Sequence, residues 1–210
     1  MERIQRQDIK SIKQVLDFDQ PGRIEFNAST QEKLKDNIKQ QYKEDIRLRT
    51  SFVNGYREMG RWKSRLEDIF AERGLPKELI YLAIPESHWQ PKAVSGAGAT
   101  GPYQFMKKTA RDYELKIDEG VIDERKDPLR SAEAAANLLR DLFLATKDWN
   151  LALSGYNGGF IWKYIKIAKA EGRTPSYDDF LERIETKLNN IRDAIKNSRL
   201  SQVEQKEKWR

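Results

Sequence analysis

Apolar residues return at helical spacing along nearly the whole chain, and that periodicity leaves room for little but a mainly α fold. Leu34, Ile38, Tyr42 and Ile46 recur every four residues behind a capping-box pattern of Ser29 and Glu32. Ahead of them, Val15 to Phe26 forms a short segment with a Pro21-Gly22 turn. Phe52, Tyr56, Met59, Trp62, Leu66 and Ile69 continue a similar stripe, interrupted at Gly55 and Gly60. Gly74 stands where a left-handed C-cap belongs, and Pro76 suits the first turn of a new helix. Pro76 to Glu86 (PKELIYLAIPE) reads as a short, largely buried helix that terminates or tightens near Pro85. A loop with Gly96, Gly98 and Gly101 follows. Ser131 to Thr146 is a strong helix with an Ala-rich face, and Trp149 to Ser154 a short one broken at Gly155, Gly158 and Gly159. Phe160 to Glu171 is helical and stops at Gly172. Ser176 to Ser198 is a capped helix, and Ser201 to Arg210 a fraying polar tail. No internal repeat and no series of parallel strands is visible.

Composition removes much chemistry. The 210 residues suit one domain with attachments. They contain no cysteine, which excludes disulfides, thiolate nucleophiles, thiolate zinc sites and iron–sulfur clusters. His88 is the only histidine, so a two-histidine zinc motif is excluded and no metal site is expected. The formal charge of +6 is spread among acids, as on a solvated helical surface. No apolar run approaches the ~20 residues of a membrane span, and the opening MERIQRQDIKSIK lacks the apolar stretch of a signal peptide.

Two motif matches fail on context. Gly96, Gly98 and Gly101 have the spacing of a dinucleotide-binding loop, but a helix rather than a strand precedes them. A Ser/His/Asp triad has no nucleophile elbow to stand on. Glu86 is the informative residue. It ends an apolar stretch of Leu79, Ile80, Leu82, Ala83 and Ile84 and meets the glycine-rich loop. Burial against apolar walls would disfavour its ionised form, and a carboxylic acid protonated near neutrality can protonate a glycosidic oxygen. A solvent-exposed helix-end glutamate is the competing reading.

Several blocks carry a resemblance. Glu86-Ser87 is followed by Pro91-Lys92-Ala93-Val94-Ser95 and then by Gly101-Pro102-Tyr103-Gln104-Phe105-Met106. Asp123-Glu124-Arg125-Lys126-Asp127-Pro128 and Ala152-Leu153-Ser154-Gly155-Tyr156-Asn157-Gly158-Gly159 come later, and GRWKSRLEDIFAERGLPKEL lies upstream. In order and spacing these resemble the soluble-lytic-transglycosylase (SLT) domains, and membrane-bound D-type members in particular, over roughly Met59 to Phe180.

The resemblance implies a lysozyme-like α-helical domain spanning 61–181, with an N-terminal helical extension at 1–60 and a C-terminal helix and polar tail at 182–210. It implies cleavage of the MurNAc–GlcNAc β-1,4 bond of peptidoglycan with formation of 1,6-anhydromuramoyl ends. Glu86 would be the catalytic acid and then base, with no cofactor. Ser87, Ser95, Gln104, Met106, Tyr156 and Asn157 would contact substrate. Ser87 has a helix-ending hydrogen bond as its alternative role, and Met106 has core packing. For Trp89, Tyr103 and Trp162, packing is favoured over sugar stacking. The implied partner is a peptidoglycan glycan strand in the periplasm or cell envelope, with a protein partner for the terminal helices left open. Two departures stand out. Tyr103 replaces a usual Met or Trp, which would reshape a subsite, and Asn189 stands where a tyrosine often contacts the site. A lysozyme-type hydrolase, or a non-catalytic glycan-binding module of the same fold, are the alternatives. A nucleic-acid binder is disfavoured because the basic residues form no stripe.

Overall fold

The computed structural model describes residues 28–208 apart from residue 119, and the chain is mainly α, as the periodicity requires. Among those residues there are nine α-helices: α1 (Ala28–Glu44), α2 (Ile46–Gly60), α3 (Lys63–Glu72), α4 (Ala83–Ser87), α5 (Lys107–Asp112), α6 (Pro128–Thr146), α7 (Trp149–Asn157), α8 (Phe160–Ala170) and α9 (Tyr177–Lys208). A two-stranded antiparallel ladder pairs β1 (Ile117–Asp118) with β2 (Ile122–Asp123). Two 3₁₀ turns, Lys77–Leu82 and Glu124–Lys126, complete the order. The Val15 to Phe26 segment lies outside the described residues. The chain divides into two compact units, Met1–Asp141 and Leu142–Arg210.

In the first unit the early stripe is cut in two. The Asp45 carboxylate accepts the backbone N–H groups of Arg47 (2.8 Å) and Leu48 (3.0 Å), capping α2 and closing off α1 one residue earlier. α1 begins at Ala28, a residue ahead of the Ser29 expected to cap it. Ile38 and Ile46 are exposed, so this stripe is not a buried face. The core lies further on, where Met59, Leu66, Phe70, Ile80, Tyr103 and Leu139 are fully buried. Gly74 adopts the left-handed φ of 70° expected of a C-cap. The stretch read as one helix to Glu86 is a 3₁₀ turn followed by α4, and Pro85 sits inside α4, which ends two residues beyond it at Ser87. Changing helix type at Ala83 restarts the first turn there. Pro85 then falls at the third position, where a backbone N–H would have had no intrahelical partner.

In the second unit Leu151, Ile161, Tyr164, Ile165, Ala168 and Phe180 form a contiguous core. Asp148 caps α7 through the N–H groups of Asn150 (2.7 Å) and Leu151 (3.2 Å). Gly155, expected to break this helix, is carried within it. A Cβ there would lie 2.5 Å from Leu142 Cδ2 and 3.3 Å from Ile161 Cγ2, so the glycine permits close packing rather than a turn. α9 runs to Lys208, past the expected end at Ser198. Its Gln, Glu and Lys residues are good helix formers with no Gly or Pro to stop them. No helix among the described residues is long and apolar enough to cross a membrane.

Candidate active site

Glu86 is the fourth of the five residues of α4, whose Ala83 and Ile84 are buried. Its own carboxyl is half-buried, and burial pushes its pKa above the ordinary glutamate range. That places a proton on Glu86 at a higher pH than on an exposed glutamate. Immediately after Ser87 the chain reverses through two left-handed residues, His88 (φ 52°) and Trp89 (φ 55°). Their amides donate back to Ile84 O (2.8 Å) and Ala83 O (3.2 Å). Left-handed non-glycine residues cost about 1–3 kcal/mol each and persist where their surroundings over-determine them.

Three contacts hold this turn. Trp89 is buried and packs edge-on against Tyr103, with centroids 6.2 Å apart. The Ser87 hydroxyl lies 2.8 Å from Pro102 O, to which it donates, and accepts the Gln90 N–H at 3.1 Å. That hydroxyl therefore ties the end of α4 to the glycine-rich loop, while the bond from Gln90 N–H is the local, helix-ending kind weighed for Ser87 beside substrate contact. From the other side, Gly55 of α2 lies against the His88 carbonyl so closely that a Cβ built on it would be 1.9 Å from the oxygen.

The loop is ordered by its own backbone. Gly101 N donates to Ala93 O (2.9 Å), and Thr100 and Phe105 exchange a pair of 3.0 Å bonds. Ser95 Oγ accepts from Ala99 N at 3.0 Å. Gln104 is half-buried and left-handed (φ 50°), and its amide nitrogen donates to Gly101 O at 2.8 Å. Gly101 has φ 87°, and a Cβ there would lie 1.7 Å from Arg125 O, so the loop rests directly on the 3₁₀ turn after β2. Arg125 is only 4% exposed. It forks onto Asp123 with two 2.8 Å bonds and donates to Gly98 O and Phe105 O, each at 3.2 Å. Met106 is 45% exposed and so is not a core residue.

Tyr103 is fully buried, donates to Ile80 O at 3.3 Å and packs against Phe70 as well as Trp89. It is a core residue, as is Trp89, so the departure at this position lies in the interior. In the second unit, Tyr156 and Asn157 occupy the last two positions of α7. Tyr156 is half-buried, while Asn157 is exposed and its amide nitrogen donates to Leu153 O at 3.2 Å. Trp162 lies partly buried against that unit's core. Gly55 carried no mark beyond breaking an apolar stripe. Arg125 stood in a quoted block without a role, although an Asp-x-Arg spacing next to a turn is the pattern from which a fork can be anticipated.

The transglycosylase SLT domain family model matches residues 69–176, about half of the chain and inclusive of every candidate site residue. Membrane-bound lytic murein transglycosylase D of Escherichia coli (strain K12) is 35% identical over 136 residues, which are 61% of this chain and 30% of that protein. Membrane-bound lytic murein transglycosylase F of Vibrio campbellii is 32% identical over 114 residues, 49% of this chain and 20% of the relative. The corresponding F protein of Maricaulis maris is 34% identical over 111 residues, 48% and 23%. The chain thus spans less than a third of the length of these relatives. With the family's model covering the turn, the loop and the buried arginine alike, the chain belongs to the transglycosylase SLT domain family.

Proposed function

We propose that this chain is a peptidoglycan lytic transglycosylase of the cell envelope, with residues 61–181 as its catalytic part and Glu86 as its acid and base. The observation that carries the reading is the half-buried Glu86 carboxyl, pushed up by burial, at the end of a helix whose exit turn is braced on two sides. Membership of the SLT family and the names of the relatives supply the substrate.

The chemistry follows from one carboxyl. Protonated Glu86 gives its proton to the glycosidic oxygen as the C1–O bond breaks, with positive charge developing on the muramoyl C1. The substrate's acetamido group stabilises that centre, so no second protein carboxylate is required. The Glu86 carboxylate then accepts the proton of the muramoyl C6 hydroxyl, whose oxygen bonds to C1. A 1,6-anhydro ring forms, no water is added, and Glu86 ends protonated, ready for another turnover. We infer from the family resemblance that Ser87, Ser95, Gln104, Met106, Tyr156 and Asn157 contact substrate. Among these, Met106 has the exposure a contact residue needs, and Gln104 retains its amide oxygen as a directional acceptor.

The test is incubation with purified sacculi and mass spectrometry of the released fragments. Anhydromuramoyl ends from the wild type, absent with Glu86→Gln, are expected. Water-added reducing ends would assign a lysozyme-type hydrolase, and no release from folded protein at any pH near neutral would refute the enzymatic reading.

A further inference from the structure

The two faces of α2 differ in kind. On the inner face Gly55 and Met59 are buried, and Gly55 abuts the His88 carbonyl of the Glu86 turn. On the outer face, at successive turns, stand Ile46 (65% exposed), Thr50 and Val53 (44% exposed). The Thr50 hydroxyl donates back to Ile46 O at 2.7 Å, so its polar atom is satisfied within the helix. All three side chains are β-branched, whereas propensity alone would favour Ala, Glu or Lys on an exposed helix surface.

Arginines border this strip. Arg57 follows Val53 by one turn, Arg49 lies to one side and Arg61 to the other, and all three are exposed. Glu58 is the one acid in α2, and it is paired with Arg61 at 3.1 Å. Arg49 and Arg57 form no ion pair among the described residues. The outer face is therefore apolar along its middle and cationic at its borders.

We propose that the outer face of α2 docks peripherally on an anionic phospholipid bilayer, with the helix lying in the plane of the headgroups. Guanidinium groups pair with lipid phosphates while Ile46, Thr50 and Val53 enter the boundary between headgroups and acyl chains. Gly55 sits on the side of α2 opposite Val53, so bilayer and Glu86 turn lie on opposite sides of the helix, about 10 Å apart. Nucleic acid would engage the arginines and leave the aliphatic strip without a partner. This face goes beyond the catalytic reading and does not depend on it.

Co-sedimentation of the 210-residue chain with vesicles tests the face, using phosphatidylcholine alone and phosphatidylcholine mixed with phosphatidylglycerol. Binding to the mixed vesicles and not to the neutral ones is expected, and it should weaken as salt rises. Arg49→Gln and Arg57→Gln should each lower affinity about fivefold and together about 25-fold, while the paired lysine substitutions stay within about twofold. Val53→Ser and the isosteric Val53→Thr should lower vesicle affinity about three- to tenfold. Urea midpoints matching the wild type would show that these exposed substitutions leave the fold intact. Absence of binding to mixed vesicles, equal binding to neutral ones, or variants at Arg49, Arg57 or Val53 that bind as the wild type does would each refute the proposal. Tighter binding to duplex DNA than to vesicles, dependent on the arginines and indifferent to Val53, would assign the face to nucleic acid and overturn it as well. A wild type that binds vesicles as expected but releases nothing from sacculi would leave this face standing and remove the catalytic reading alone.

Discussion

Adding one methyl group to α2 should disturb the Glu86 turn from outside the site. In Gly55→Ala the new Cβ would lie 1.9 Å from His88 O and 2.6 Å from His88 C, and both are backbone atoms that cannot rotate away. Ordinary contact begins at 3.4 Å, so helix and turn must separate by about 1.5 Å. Overpacking of this kind costs about 1–3 kcal/mol, and the alanine returns about 0.5–1 kcal/mol of helix propensity, leaving a net loss of about 0–2.5 kcal/mol. Catalysis should suffer more than stability. His88 follows Glu86 by two residues, and a misplacement of about 1 Å in a reacting group can lower a rate roughly 10²-fold. Gly60→Ala is the matched control: it lies in the same helix, has no atom within 4 Å of the added Cβ, and should be neutral or slightly stabilising. Urea midpoints by circular dichroism and release of anhydromuramoyl fragments from sacculi read the two quantities. Gly55→Ala matching Gly60→Ala in both would refute the idea that α2 positions the Glu86 turn.

The remaining predictions concern charge. Because burial raises the folded-state pKa of Glu86, the folded chain holds its proton to higher pH than the unfolded chain does. The associated stability is fully present below the ordinary glutamate value of about 4.3 and is lost as pH rises through the folded value. Glu86→Gln should therefore stabilise the protein at pH 7 and not at pH 4, and equal gains in denaturant midpoint at both would contradict a buried carboxyl. Arg125→Met removes a buried guanidinium and leaves Asp123, Gly98 O and Phe105 O without it, at a cost of about 3–5 kcal/mol in urea unfolding. Asp123 has its pKa held below the ordinary value, chiefly by its hydrogen bond from Arg125. Its contribution is present above about pH 4 and lost as pH falls through the folded value, so the wild type should weaken in that acid window by an increment that the variant lacks.

Legibility from sequence varied with how local the cause is. Gly74 was readable because a left-handed helix cap is a property of its immediate neighbours, and the same is true of Gly172. Gly155 misled for the opposite reason. Its lack of a side chain answers to Leu142 and Ile161, which no local rule can see, so a packing glycine looked like a break. Pro85 was legible in part: α4 ends two residues beyond it, while the switch from 3₁₀ to α winding lies ahead of it at Ala83, where no local signal marks it. Asp45 was overlooked as a cap because the four-residue apolar rhythm continued past it.

The order of helices and the absence of thiol and multi-histidine chemistry followed from residue types and their spacing, and it was the resemblance of the motif blocks that singled out Glu86. Tertiary structure alone decided that Tyr103 belongs to the core, that Arg125 anchors the loop beneath it, and that Gly55 abuts the exit of α4. Spacing reports which residues share a helix face. A carboxyl's proton affinity and a turn's rigidity depend instead on which distant backbone and side-chain atoms come to lie within a few ångströms, and only the folded chain brings those together.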